Sequence, residues 1–426
     1  MSAPSALPLT LREHLIRQRG FERYGPTGAS PAGNMLLTVA LRGELDVEAL
    51  RAAVLRVFAE NPALRSYFSP ADAAPAKLRA EPSSMDPPFV YLDRSGGGEP
   101  LKQAVREAIG HRFDITRPPL LRVTVVRRSP TRHVLVLCAN HLLVDGWSIA
   151  LFLRTVSKYY AVPGQPKPGD AADAELRAHL AGQAAYLESP AFRQERTELL
   201  SWLAPAADCL RRKLDVSFPM PDEAHGLIRL DAASAERARK RFGLTAADLH
   251  RVLYVLLIRW LTGHTDIALS ESHANRPPRS RALYGLLSDD LLVRVPIGEE
   301  DTVETLVAAV ARGRATAERL GRVPALSVLT ELLGAPALPR FHYNPFGVAA
   351  GALRLPGVRI SYFKAMRAYA LTEATLVSLD GRHVFVALAT PEIEGRGLAD
   401  IERALQRLQA DLDDPRKRIA DMLAAL

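Results

Sequence analysis

The 426-residue chain has only two cysteines, Cys138 inside an apolar run and Cys209 in a predicted helix. Two such thiols exclude a disulfide framework and a cysteine-rich zinc site, and they favour a reducing, cytoplasmic setting. Met1 to Thr10 lacks the basic segment followed by an apolar core that a secretory leader needs. The longest apolar stretch, Val252 to Leu261, is interrupted by Arg259 and is too short to span a bilayer, so no membrane role is expected. Lysine and arginine do not form runs interleaved with aromatics and no nucleic-acid-binding motif is present, so no nucleic-acid partner is expected. Internal repeats and heptad arrays are also missing.

What is present is an ordinary globular composition, 48% hydrophobic and 24% charged, in a chain too long for one comfortable core. The clearest linker runs from Ala161 to Ala172, with Pro163, Gly164, Pro166, Pro168 and Gly169. It predicts two parts, residues 1–165 and 173–426. The net charge of +8 calls for an anionic partner of some kind. Strands and helices are interspersed throughout, which gives an α+β class. Strand Met35 to Arg42 leads through the cap Asp46 to a helix over Val47 to Glu60, and Thr245 caps another over Ala246 to Thr262. A short helix from Leu7 to Gln18, a strand at Phe89 to Leu92, a turn at Gly96-Gly97-Gly98 and a terminal hairpin, Thr372 to Ser378 with His383 to Ala389, complete the pattern.

The stretch with the most chemistry is Ala139 to Ser148. Leu120 to Arg127 and Val134 to Ala139 read as a hairpin, the second strand apolar enough to be buried on both faces. The chain leaves the core at Asn140 and His141, turns at Asp145-Gly146, and enters a helix from Ile149 that Ser148 is expected to cap. A strand, a tight loop and a helix lift one imidazole off a rigid support, with a carboxylate one turn later. His141 is thereby a candidate general base.

The run Asn140-His141-x-x-x-Asp145-Gly146-Trp147-Ser148 resembles the His-His-x-x-x-Asp-Gly signature of nonribosomal peptide synthetase condensation domains and the chloramphenicol acetyltransferase-like acyltransferases, with Asn140 in place of the first histidine. The likeness continues in order through Leu41 to Arg51 with Asn61 to Arg65, Phe113-Asp114, Pro118 to Arg122, the Arg276 segment, Gly285 to Arg294, and Phe341 to Gly347. It implies two acetyltransferase-like subdomains meeting in a V around a central tunnel. It also implies Arg276 as the partner of Asp145, an Asp so paired being a structural support rather than a proton acceptor. The implied catalytic set is His141, Asp145 and Gly146, supported by Asn140, Trp147, Ser148 and Arg276. Glu271, His273, Ser288, Asp289, Tyr343 and Asn344 are the implied tunnel residues, and no metal is called for.

The implied reaction is transfer of an acyl or aminoacyl group from a thioester, on the phosphopantetheine of an acidic carrier protein or on coenzyme A, to a small-molecule amine or alcohol. No tightly bound cofactor is implied. The chain ends fourteen residues after Leu412, which leaves no room for an adenylation or carrier segment, so carrier and acceptor are expected in trans. Two alternatives stand beside this one. Loss of the first histidine fits a catalytically silent platform that recruits a partner, and Glu271-Ser272-His273-Ala274-Asn275-Arg276 resembles imperfectly the Glu-Gly-His-Gly-Arg of the family's epimerases, in which Glu271 would exchange a proton opposite His141.

Overall fold

A computed structural model describes residues 7–29, 33–96, 98–164, 170–213, 222–334, 339–345, 351–362 and 372–426. Gly97, the linker residues Pro166, Pro168 and Gly169, and the motif residues Phe346 and Gly347 lie outside the described residues.

The chain divides into two compact units, each discontinuous in sequence. The first comprises Met1–Ala185, Arg276–Ser288 and Val348–Arg367. The second comprises Tyr186–Asn275, Asp289–Gly347 and Ala368–Leu426. This differs from a single cut at the linker: helix Asp170–Glu188 begins within the linker's last three residues, and its Leu176 and Leu180 pack with Leu7, Leu283 and Leu287 of the first unit. Burial, not the proline-rich composition, decides where that helix belongs.

The first unit is built on a five-stranded sheet in the order Val358–Tyr362, Asn34–Gly43, Arg132–Asn140, Leu121–Ser129, Phe89–Asp93. All its pairings are antiparallel except Phe89–Asp93 with Leu121–Ser129. The predicted hairpin is present, and its second strand lies centrally with Leu135 to Asn140 all buried. Helix Val47–Glu60 forms as expected, with Asp46 accepting from the Ala49 N–H at 2.8 Å. The N-terminal helix starts later than the expected Leu7, which instead bridges Lys77, and runs past Gln18, over Leu11–Tyr24. A capping box of Thr10 and Glu13 starts it and Gly25, at φ 77°, ends it. Past Gln18 it carries Phe21, which packs against the first unit's core; Arg17 is buried as well, its guanidinium bonded to the carbonyls of Ser69 and Pro70.

The second unit carries a six-stranded sheet in the order His225–Arg229, His383–Leu388, Ala374–Ser378, Phe341–Asn344, Asp266–His273, Asp289–Pro296. Strand Phe341–Asn344 runs parallel to both its neighbours, and the remaining pairs are antiparallel. Helix Ala246–Thr262 is buried continuously from Leu249 to Ile258, which explains its apolar run: it is a core helix, not a membrane span. Among the described residues no helix is long and apolar enough to cross a membrane.

Candidate active site

Strand Arg132–Asn140 ends one residue before His141, and the loop that follows is anchored from within. Leu142, Leu143 and Val144 are all buried, at 2%, 1% and 0% exposure. His141 beside them is only partly accessible. The His141 N–H donates to the Gly33 carbonyl at 2.7 Å, and its ring Nδ1 lies 2.9 Å from the Val144 carbonyl. A carbonyl can only accept, so Nδ1 carries the proton and Nε2 holds the lone pair. Burial, followed by the positive charge of Arg12, pushes the imidazole below the ordinary histidine range, against the opposing pull of the Val144 carbonyl and Asp145. The ring is therefore neutral near pH 7, with one basic nitrogen.

Asn140, in place of the first histidine, accepts the Leu142 N–H on Oδ1 at 3.0 Å, and its own carbonyl accepts the Leu143 N–H at 3.0 Å. It shapes the loop with a side chain that does not titrate.

Asp145 is fully buried and accepts five hydrogen bonds. Arg276 supplies two, at 2.6 and 3.0 Å, and the backbone N–H groups of Ser148, Leu287 and Ser288 supply the rest at 2.9, 3.0 and 2.9 Å. Burial pushes this carboxyl up, but the Arg276 guanidinium and the N–H donors outweigh it and hold Asp145 below the usual carboxylate range. Such a group supports the loop and takes no proton.

One local detail departs from expectation. Asp145, not Ser148, is the N-cap, and the helix starts earlier than Ile149, spanning Gly146–Ala161. Ser148 is buried, its Oγ bonded to the Gly285 carbonyl and to Arg276. Trp147 Nε1 donates to the Arg281 carbonyl at 2.9 Å. Gly146 is the first helical residue, so its N–H has no acceptor within the helix. A Cβ there would meet Met35 Cε at 4.0 Å and nothing nearer, so packing among the described residues does not demand glycine.

The expected tunnel residues fare differently. Ser288 takes part through its backbone, with its N–H on Asp145 and its carbonyl accepting from Arg12 Nη1 at 3.1 Å. Arg12 is the residue that sequence reasoning missed; nothing local in helix Leu11–Tyr24 signals a partner 276 residues away. Asp289 accepts the Asp290 N–H at 2.8 Å. Asn344 closes strand Phe341–Asn344, and His273 is a half-buried residue whose imidazole burial pushes down. Tyr343 is buried completely with its hydroxyl on the Ala247 carbonyl at 2.7 Å, a core position rather than a substrate-facing one. Glu271 is corrected as well. It is 1% exposed, gripped by Arg251 at 2.6 and 2.9 Å and approached by Arg314 at 3.3 Å. A carboxylate so engaged is not a proton-exchange partner, and the epimerase-like reading loses its second base.

The sequence model for the family described as "Condensation domain" matches residues 27–335. The chain belongs to the condensation-domain family. This condensation domain is 27% identical, over 93% of its length, to chondramide synthase of Chondromyces crocatus, and spans 11% of that much longer protein. Its fold matches the first condensation domain of the calcium-dependent antibiotic synthetase at a TM-score of 0.77 and 18% identity, covering 98% of this chain and 99% of that one. The starter condensation domain of rhizomide synthetase, solved with C8-CoA, matches at 0.75 and 17% identity over 98% and 97% of the two chains. The family's chemistry is acyl transfer in natural-product synthesis. Among the described residues no cluster of three His, Cys, Asp or Glu side chains is arranged to hold a metal ion.

Proposed function

We propose that this condensation domain forms an amide or ester by passing an acyl or aminoacyl group from a thioester to an amine or hydroxyl acceptor, with His141 as the base. The observation that carries the proposal is the Nδ1 contact to the Val144 carbonyl at 2.9 Å, which leaves Nε2 basic on a ring held neutral. Nε2 takes the proton of the attacking amine or hydroxyl as the new C–N or C–O bond forms. The C–S bond then breaks, and the proton passes to the departing thiolate. A positioned base contributes about 10²- to 10⁴-fold, and orientation of the two reactants contributes further. The Gly146 N–H, on the open first turn of its helix, is the donor to the developing oxyanion. Asp145 and Arg276 hold the loop in shape for both.

The donor is read as a thioester on an acidic carrier protein supplied in trans, or on coenzyme A. The +8 net charge of the chain complements either anionic partner. A second reading rests on Asn140: a loop shaped without the first histidine suits a domain kept for recruiting a carrier or enzyme rather than for catalysis. Mass-spectrometric detection of acyl transfer decides between them, using carrier-bound and coenzyme A thioesters with amine and alcohol acceptors, wild type against His141→Ala. Transfer that collapses in the variant supports catalysis by His141. Absence of transfer with every pair, together with carrier binding that the substitution leaves unchanged, sinks it in favour of recruitment.

A further inference from the structure

The second unit holds a polar row that takes no part in the loop around His141. Strands Asp266–His273 and Phe341–Asn344 lie side by side and parallel, with His342 in register with Ser270 and Tyr343 with Glu271. Side chains alternate between the faces of a strand, so Ser270, Ser272 and His342 share one face, while Glu271 and Tyr343 point to the other, where Arg251 and Ala247 of helix Ala246–Thr262 meet them. On the first face both imidazole nitrogens of His342 are engaged. Nδ1 lies 2.7 Å from Ser270 Oγ, and Nε2 lies 2.9 Å from Ser272 Oγ.

A third, longer contact is compatible with one order of the protons. Ser270 Oγ is also 3.4 Å from the Phe341 carbonyl, to which a hydroxyl can only donate. In the tautomer a serine nucleophile needs, Ser270 directs its proton there and accepts from Nδ1–H of His342. Nε2 then carries the lone pair, and Ser272 donates its O–H to that lone pair. A hydroxyl on a basic imidazole nitrogen, with the ring oriented by a third group, is the arrangement that activates a serine nucleophile. Exposure follows the same order: Ser270 is fully buried, as an orienting group should be, whereas Ser272 and His342 are partly accessible.

We propose that Ser272 is a second nucleophilic centre, one that accepts acyl groups from thioesters and activated esters independently of His141. Ser272 Oγ attacks the carbonyl carbon and its proton moves to His342 Nε2. The C–S or C–O bond to the leaving group breaks, and His342 returns the proton to the departing thiolate or alkoxide, leaving an acyl ester on Ser272. Water, deprotonated by the same nitrogen, then releases the acid and restores the serine. Net, one thioester or ester bond is hydrolysed with no other reactant. Ser270 acts as a positioning residue.

The test is labelling of the full chain with a fluorophosphonate probe, followed by proteolysis and mass spectrometry to locate the adduct. Ser272 should carry the label in wild type and in His141→Ala. His342→Ala should slow labelling about 10²-fold or more, the share a positioned base contributes. Ser270→Ala should slow it while Ser270→Thr, which keeps the hydroxyl, restores it. Should His342→Ala lose its fold by circular dichroism, His342→Gln takes its place. An unlabelled Ser272 in wild type, under conditions that fully label a reference serine esterase, overturns the proposal, as does a labelling rate indifferent to His342. Acyl transfer scored in the same samples keeps the two sites apart: absence of transfer in wild type with Ser272 labelled counts against the His141 reading alone, whereas loss confined to His141→Ala with Ser272 labelled supports both.

Discussion

Arg276 reaches across 131 residues of sequence to hold Asp145 through both terminal nitrogens, at 2.6 and 3.0 Å, with each side chain 1% exposed. Neither charge is tolerable there without the other. Removing one partner of a buried pair costs about 3–5 kcal/mol because the survivor is left uncompensated. Arg276→Ala should therefore lower stability by that amount in urea unfolding. Asp145→Asn should cost at least as much, since it too leaves Arg276 uncompensated, and its amide nitrogen must face either the Ser148 N–H or the Leu287 and Ser288 N–H groups, which bond different oxygens of Asp145.

Gly146→Ala separates chemistry from folding. A methyl there meets only Met35 Cε at 4.0 Å, and alanine is the better helix former, so unfolding should be unchanged or shifted up by under about 1 kcal/mol. If the Gly146 N–H serves the oxyanion, crowding it should cut the transfer rate by about tenfold or more. Equal loss of stability and transfer would count against that role.

The pH dependence of transfer should show a neutral base. Because burial and Arg12 hold His141 below the ordinary histidine range, the rate should rise with pH through a midpoint below about 6.5 and stay flat from there towards pH 8. Arg12→Gln removes the second of those causes and should move the midpoint upward. A profile whose midpoint ignores Arg12 would argue that its charge is not felt at the ring.

Asn140→Ala takes away the acceptor of the Leu142 N–H and should cost about 1–3 kcal/mol, with transfer reduced as the loop loosens. Asn140→His, which brings in the family's residue, should keep transfer within a few-fold of wild type. A large gain in transfer with histidine would instead mark Asn140 as the reason for a weakened catalyst.

His250 gives the second unit a pH limit of its own. It is fully buried, with Nδ1 2.8 Å from Ser378 Oγ, and burial pushes it from 6.5 to about 4. As pH falls, the unfolded chain binds this proton before the folded one does. Its contribution, roughly 3 kcal/mol at most, is present above about pH 6.5, drains away towards pH 4, and changes no further below. His250→Gln should flatten the stability profile over that interval relative to wild type, as read by chemical denaturation at several pH values.

Much of this was legible in the sequence where the signal is local. Helix Val47–Glu60 and helix Ala246–Thr262 follow from Asp46, Thr245 and an apolar period, and the motif loop follows from an apolar strand that stops at a turn. What escaped depends on distant partners. The helix past Gln18 packs Phe21 against a core assembled from distant strands. Asp145 and Ser148 are both good caps three residues apart, and the Arg276 contact decides between them. Glu271 and Tyr343 were expected at a substrate surface because a strand's parity does not say which of its faces a helix will cover; helix Ala246–Thr262 covers theirs.

The stitching of Asp145 to Leu287 and Ser288, up to 143 residues on, also sets a timetable for synthesis. As the chain leaves the ribosome, the His141 loop emerges long before the arginine and amides that complete it. The edge strand Val358–Tyr362, which pairs with Asn34–Gly43, comes later still. Contacts so far apart in sequence form slowly and late. The N-terminal segment up to Ala185 thus waits, with Asp145 uncompensated and a sheet edge open, until most of the second unit has been made. Severed after Ala185, it should be a target for chaperones and proteases rather than a working half-enzyme.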